Sequence, residues 1–426
     1  MSDYTERNKN RPFDIIVWGA TGFTGALVAE YLAIKAPKDV KFAIAGRSQE
    51  KLEAVAKRIA EAAPGSKDIT ILTAKLDDEA SMDKLVSQAK VVISTVGPFA
   101  LHGEPLVAAC VRNRTDYIDS TGEPPFIKNI IEKYHDKAVA DGTLIVPSCG
   151  FDSIPSDLGT FLLANHFASK GKQLGGVRCS VEDFKGGVSG GTVGSILNIV
   201  NTTSYKELAK MADPYYLCPA DAARGDEKKA PSNFRYDKDL KTWQSHFIMA
   251  SANVKYVHRS NALLGNAYGP KLNYTETQGH KNAIAAGATS VGMGIGAAML
   301  MIPPFQWTAN WAANKFIPAG SGPTKEQRDN GYFKVKLIGD EATEGGLKAV
   351  ANVVGHQDPG YAGTSLMLAE SALCLVLDRG HLASKEHTGQ FAGKVKGGIA
   401  TAASSMGLAL VNRLRKAGME FDVADL

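Results

Sequence analysis

The sequence lacks several signatures that would assign a function at once. Its five cysteines, Cys110, Cys149, Cys179, Cys218 and Cys374, are scattered through 426 residues and no two form a C-x-x-C pair. That spacing excludes a zinc cluster and a disulfide framework, and it reads as a reduced, intracellular chain. No H-E-x-x-H occurs, and no Ser-His-Asp set has a recognisable spacing. A formal net charge of +4, with no long basic run, leaves no footprint for nucleic acid. The N-terminal stretch "MSDYTERNKNRPFD" is polar and lacks the apolar core of a secretory signal.

What is present is a globular composition, 44% hydrophobic and 22% charged, over a length that predicts two domains. The first 150 residues alternate strand-like and helix-like segments. "FDIIVWG", "KFAIAGR", "DITILTAKL", "KVVISTVG", "TDYIDSTG" and "GTLIVPSCG" read as six strands. Helical patterns separate most of them. One is "FTGALVAEYLAIKA", with Leu27, Tyr31 and Ile34 on one face; another follows Ser48, a plausible N-cap. Alternation of this kind predicts an α/β fold with a Rossmann-type, doubly wound parallel sheet.

"WGATGFTG" joins the first strand to the first helix. Gly19 permits the tight turn, Gly22 lets backbone approach a pyrophosphate, and Gly25 lets the helix pack close to the sheet. Thr21, Phe23 and Thr24 lie in the same loop, and the helix start offers N–H groups to the phosphate. The spacing is G-x-x-G-x-x-G. After the second strand an NAD site usually carries a carboxylate; this chain has Gly46, Arg47 and Ser48. A guanidinium in that place fits an adenosine 2′-phosphate and predicts NADP. Asp77, after the third strand, is a weaker candidate for the adenine. Thr95, Gly97 and Pro98 form a turn at the end of the fourth strand, on the cofactor side. The Tyr-x-x-x-Lys pair of short-chain reductases does not follow that strand; Tyr31 with Lys35 falls on the first helix instead.

Residues 151–340 read as an α+β domain for substrate or dimerisation, with strand-like pieces such as "GGVRCSVEDF" and "SHFIMASANVKYVHRSN" and an exposed loop at "CPADAARGDEKKAPSNFRYDKD". Between Lys281 and Lys315 there is no Asp, Glu, Lys, Arg or His. The run 283–302, of about the length one bilayer crossing needs, is rich in Gly, Ala, Ser and Thr; Trp307 and Trp311 follow at helical spacing. Three readings stand open for 283–311: a buried helix or dimer interface, contact with a membrane or lipid droplet, and a true crossing.

Three further stretches, "VPSCGFDSIPSDLG" (146–159), "GGVSGGTVGSILN" (186–198) and "DPGYAGTSLMLAESALCLV" (358–376), join "GATGFTG", "GPF" and "RLRKAGMEFDV". As a set they resemble the saccharopine dehydrogenase-like oxidoreductases, which include the mycobacterial trans-acting enoyl reductases and their eukaryotic relatives. The resemblance runs from about residue 13 to the C-terminus. It implies a Rossmann domain plus a saccharopine-reductase-like second domain, with 341–426 packing back on the first. It also implies an enoyl reductase acting on lipids in glycolipid synthesis, or, as for the animal relatives, association with lipid droplets. The residues with which true saccharopine dehydrogenases hold saccharopine cannot be matched onto this chain.

Hydride transfer needs a proton donor and a site that excludes water. Position after the sixth strand nominates Cys149, Asp152 and Ser153, although Asp152 could instead cap the helix in "SIPSDLG". Ser189 and Thr192 could orient a carbonyl or merely make a turn, and Tyr361 could donate a proton or simply pack. The leading expectation is an NADP-dependent reductase of a lipid or other apolar enoyl or carbonyl substrate. It would sit on the cytoplasmic face of membranes or lipid droplets, or in the cytosol, with a homodimer as one arrangement. The alternative is a non-catalytic nucleotide-binding scaffold or redox sensor at a lipid surface, since no proton donor is evident.

Overall fold

The β-branched run after the polar N-terminus becomes the centre of a parallel sheet. A computed structural model describes residues 2–64, 69–186, 190–226, 231–316, 322–382, 384–385, 389–391 and 395–426. Strand β1 (Phe13–Trp18) pairs in parallel with β2 (Phe42–Gly46) and β4 (Ala89–Ser94). The sheet continues through β3 (Thr70–Thr73) on one side. On the other come β5 (Asp116–Asp119), β6 (Leu144–Val146) and a two-residue strand, Gly398–Ile399. Both faces are covered: Ile15 and Val17 join one apolar cluster, Ile16 and Trp18 the other. This is the reason the strands read as unbroken apolar runs. The strand order reverses beside β1, where open α/β sheets bind their ligands.

The second sheet is mixed. Its long central strand β7 (Leu174–Lys185) pairs in parallel with a strand at Asn273–His280 and antiparallel with one at Tyr332–Glu341. Helix Ile154–Ser169 packs on this sheet. Residues 341–426 divide between the two sheets. Strands Lys348–Gly355 and Glu420–Asp425 belong to the second, whereas helix Thr364–Leu377 packs against helix Phe23–Lys35 and β4 of the first.

Some local expectations are corrected. Helix Phe23–Lys35 buries Gly25, Ala26, Val28, Ala29 and Leu32, while Ile34 is 49% exposed. The small residues face the sheet because close packing demands them. The stretch "SHFIMASANVKYVHRSN" is not one long strand: only its first two residues, Ser245 and His246, belong to strand Thr242–His246, and Ala250–Leu263 is a helix. Its buried face includes Asn253, Ser260 and Asn261, each satisfied by hydrogen bonds. The helical period is therefore written partly in polar residues. In the "CPADAARGDEKKAPSNFRYDKD" loop, Cys218 is buried and Arg235–Asp237 form a short strand.

The uncharged segment forms helix Ala283–Leu300 and most of helix Pro303–Phe316, whose last turn carries Lys315. The buried-helix reading is overturned. Ala286 is buried, but Ile284 is 84% exposed and Val291, Ile295, Trp307 and Trp311 are all exposed. The equally apolar stretch Pro359–Leu377 is, by contrast, mostly buried.

Candidate functional site

Where β1 ends, Gly19 adopts φ +87°, a left-handed conformation that L side chains rarely adopt. A Cβ there would sit 2.5 Å from Val96 Cγ2, and one on Gly25 would sit 2.6 Å from Thr95 Oγ1. The Thr95 hydroxyl donates toward the carbonyls of Trp18 (3.2 Å) and Gly19 (3.3 Å), fixing the turn against the end of β4. Gly22 is the N-cap of helix Phe23–Lys35 and no side chain caps that end. The first-turn N–H groups, and the positive end of the helix dipole, point at a place where no Cβ intrudes. A pyrophosphate fits this cradle.

One cavity of about 1750 Å³ begins at the cradle and is lined by Gly19, Thr21, Gly22, Phe23 and Thr24. Arg47 lines it at the end of β2, exposed, with no hydrogen bond or ion pair among the described residues. Its charge is available to a 2′-phosphate. Ser48 instead caps helix Gln49–Ala62, its Oγ accepting from the Lys51 N–H. Thr95, Gly97 and Pro98 line the cavity. At the expected adenine edge Leu76 does so, while Asp77 is exposed beside it and is not among the lining residues.

Of the catalytic candidates, Asp152 and Tyr361 line the cavity and Ser153 and Cys149 do not. Ser153, not Asp152, is the N-cap of helix Ile154–Ser169, without a side-chain cap bond, so the capping role for Asp152 is overturned. The Asp152 carboxylate has no hydrogen-bond partner among the described residues, and burial pushes its pKa up to about 6. Ser153 is buried behind it and donates to Asn253 Oδ1 at 2.9 Å. Asn253 in turn donates to Glu276 Oε1 at 2.8 Å, and the Tyr274 hydroxyl donates to Oε2 at 2.7 Å. Burial raises Glu276 to about 6 against these bonds, and the charge of Asp152 adds to the rise. Ser153 therefore belongs to a supporting network. Burial raises the Cys149 thiol well above its ordinary range, leaving it inert. Tyr361 stands edge-on to Phe23, ring centres 4.9 Å apart, with its backbone N–H on Asp358 Oδ2 at 2.7 Å. It closes the cavity over the start of the first helix. Thr192 lies within helix Gly190–Thr202 rather than in a turn. Ser189 lies outside the described residues.

Two site residues escape a reading of the sequence. Glu123 is fully buried; its carboxylate accepts from the N–H groups of Phe99 (2.8 Å) and Ala100 (2.9 Å) and from the Ser195 hydroxyl (2.6 Å). It ties the strand-end turn to a helix of the second domain. "TGEPP" signals only a helix start. Lys255 lines the cavity from helix Ala250–Leu263, a segment whose pattern resembles a strand. Beyond these residues the cavity becomes apolar, walled by Leu208, Met211, Met293, Met299, Leu300 and Phe305. Among the described residues no group of His, Cys, Asp and Glu is arranged to hold a metal ion.

Comparison with known proteins agrees with this geometry. Residues 15–146, which contain the cradle, match the family model of the saccharopine dehydrogenase NADP-binding domain, so the cofactor is NADP. Over its full length the chain is similar to a candidate trans-acting enoyl reductase of Mycobacterium tuberculosis, at 38% identity over 98% of each chain. It is also similar to the trans-acting enoyl reductases of Mycobacterium ulcerans (33%) and Mycobacterium bovis (34%), over 96% of this chain and 97% of each relative. Among solved structures, saccharopine dehydrogenase (L-Glu forming) from Saccharomyces cerevisiae shares the fold. Its TM-score is 0.53 at 12% identity, over 97% of this chain and all of that one.

Proposed function

The chain belongs to the saccharopine dehydrogenase-like oxidoreductases and is an NAD(P)-dependent enzyme; from that premise we propose that it reduces a long-chain enoyl or carbonyl lipid taken from a lipid surface. The observation that carries this reading is the continuous cavity that joins the NADP cradle to an apolar chamber. When bound, NADPH supplies the hydride. The chain's own groups do the rest. Gly22 and the helix start hold phosphate, Arg47 selects the 2′-phosphate, and Tyr361 with Phe23 closes the cradle to water. Asp152, with a pKa of about 6 and no internal partner among the described residues, carries a proton at the cavity wall for the reduced carbon or oxygen. This supplies the proton donor whose apparent absence favoured a scaffold.

Support for the lipid surface comes from helices Ala283–Leu300 and Pro303–Phe316, whose one charged residue, Lys315, lies in the last turn of the second. Each contributes residues to the cavity lining, and outside the lining they expose Ile284, Val291, Ile295 and Trp307; Trp311 is exposed at the cavity's edge. The first helix is about 27 Å long, enough to lie in an interface or span a core. The substrate class is distinguishable by experiment. A long-chain 2-enoyl thioester and the matching ketone, each presented in phospholipid vesicles, are incubated with NADPH. Consumption of NADPH with either supports the reading, and inertness toward both contradicts it. Flotation with the vesicles, lost in Trp307→Ser/Trp311→Ser, tests the surface separately.

A further inference from the structure

Several buried charges in the molecule are paired. Arg7 and Arg379 share the Asp116 carboxylate, and Arg413 holds Glu370. Lys255 does not follow this pattern. It is 4% exposed, yet it lines the cavity. Its ammonium donates to the Ser251 carbonyl one turn back and makes no other hydrogen bond and no ion pair among the described residues. Among the described residues, the carboxylate whose charge acts on it is Asp213. That group is already engaged, by the Arg224 guanidinium at 2.5 Å and the Tyr215 N–H at 2.9 Å.

An ammonium carries three donors, and here one is used. Removing a cation from water without an anion to complete it is costly. Burial accordingly lowers the Lys255 pKa to about 8, which still leaves the group mainly charged at neutral pH. Much of the cavity lining it shares is apolar, including Leu197, Leu208, Met211, Met249 and Ala252. Lys255 reaches the cavity from helix Ala250–Leu263 and Asp152 from the turn before helix Ile154–Ser169, so the two are carried by different elements. A cation in an apolar wall, with donors to spare, matches one kind of ligand: an anionic group on a hydrocarbon chain.

We propose that Lys255 is an anion-binding point of the cavity, taking the carboxylate or phosphate head of an amphipathic ligand whose alkyl chain lies along the adjoining apolar wall. The site shares its cavity with the reductase reading but depends on neither cofactor nor turnover. Lysine suits the role because its flexible stem can carry a point charge to either head group.

Titration calorimetry with dodecanoate, dodecyl phosphate and dodecan-1-ol tests the assignment on the full chain. The wild type is expected to bind the better of the two anions at least about tenfold more tightly than the alcohol, the size of one desolvated charge-assisted contact. Whichever anion binds better identifies the head group. Lys255→Met abolishes the preference while keeping affinity for the alcohol, and Lys255→Arg, which keeps the charge, retains it. Equal binding of anions and alcohol by the wild type overturns the proposal. So does a preference that survives in Lys255→Met, or no binding of any of the three. NADPH titration of the same samples reports on the cofactor reading independently: it can fail while the anion preference persists, and the reverse.

Discussion

The Ser195 hydroxyl donates to Glu123 Oε1 at 2.6 Å, and this one contact joins the strand-end turn of the NADP domain to a helix over the cavity. The same carboxylate holds the N–H groups of Phe99 and Ala100. Glu123→Ala leaves those donors without their acceptor, at an expected cost of about 2 kcal/mol of stability. Ser195→Ala removes only this one contact between the domains and costs about 1 kcal/mol or less. Denaturant unfolding of both variants measures the difference. A loss from Ser195→Ala as large as that from Glu123→Ala would show that the turn does not depend on the carboxylate.

Arg47 provides the test of cofactor choice. Its guanidinium lines the cradle, and no partner among the described residues holds it elsewhere. Arg47→Ala is expected to weaken NADPH binding by about tenfold or more, the worth of a charge-assisted contact to phosphate, and to leave NADH binding unchanged. Equal losses for both dinucleotides would place Arg47 away from the 2′-phosphate.

The three glycines of the loop are not equivalent. A Cβ on Gly25 would meet Thr95 Oγ1 at 2.6 Å and crowd the Gly19 carbonyl, which belongs to rigid backbone. A Cβ on Gly22 meets only the Gly19 carbonyl, at 3.3 Å. Gly25→Ala should therefore lower stability by about 1–3 kcal/mol. Gly22→Ala should melt close to the wild type yet bind NADPH poorly, because its methyl occupies the place of phosphate. Melting curves with and without NADPH separate the two effects.

Asp152 makes stability and activity depend on pH in a definite sense. Its folded pKa, about 6, lies above the value of about 3.9 in an unfolded chain. Between these values the folded state holds the extra proton, so this group's contribution to stability falls as pH rises from about 4 to about 6. At pH 7 the half-buried carboxylate is mainly charged, with no hydrogen-bond partner among the described residues. Asp152→Asn should then melt above the wild type at pH 7 while reducing substrate at least about 100-fold more slowly. It should also lose the fall in rate that the wild type is expected to show above about pH 6. A variant with wild-type turnover would remove Asp152 from the reaction.

The parts of the site that were legible in the sequence are those whose function is written in backbone geometry. Gly19, Gly22 and Gly25 sit where a strand gives way to a helix, and no other residue type meets all three requirements. The missing carboxylate after β2 and the presence of Arg47 follow from the same frame. Lys255 and Glu123 were invisible because nothing near them in the chain announces their partners. Glu123 reaches back 24 residues to Phe99 and forward 72 to Ser195. Lys255 lies in a helix whose buried face includes Asn253, Ser260 and Asn261, so hydrophobic periodicity misread the element that carries it. The uncharged segment was legible as a helix-length run. Its exposure was not, because an apolar helix buried in a core and one exposed on the surface share one composition.

The claim that the NADP cradle opens into a chamber for a long alkyl chain is tested most directly by chain length. NADPH consumption is measured for 2-enoyl thioesters from four to sixteen carbons, below their aggregation limits. If the chain enters the apolar chamber, each buried methylene contributes about 0.8 kcal/mol, and kcat/KM should rise by up to about fourfold per carbon until the chamber is full. A kcat/KM that is flat from the shortest thioester to the longest would contradict the account.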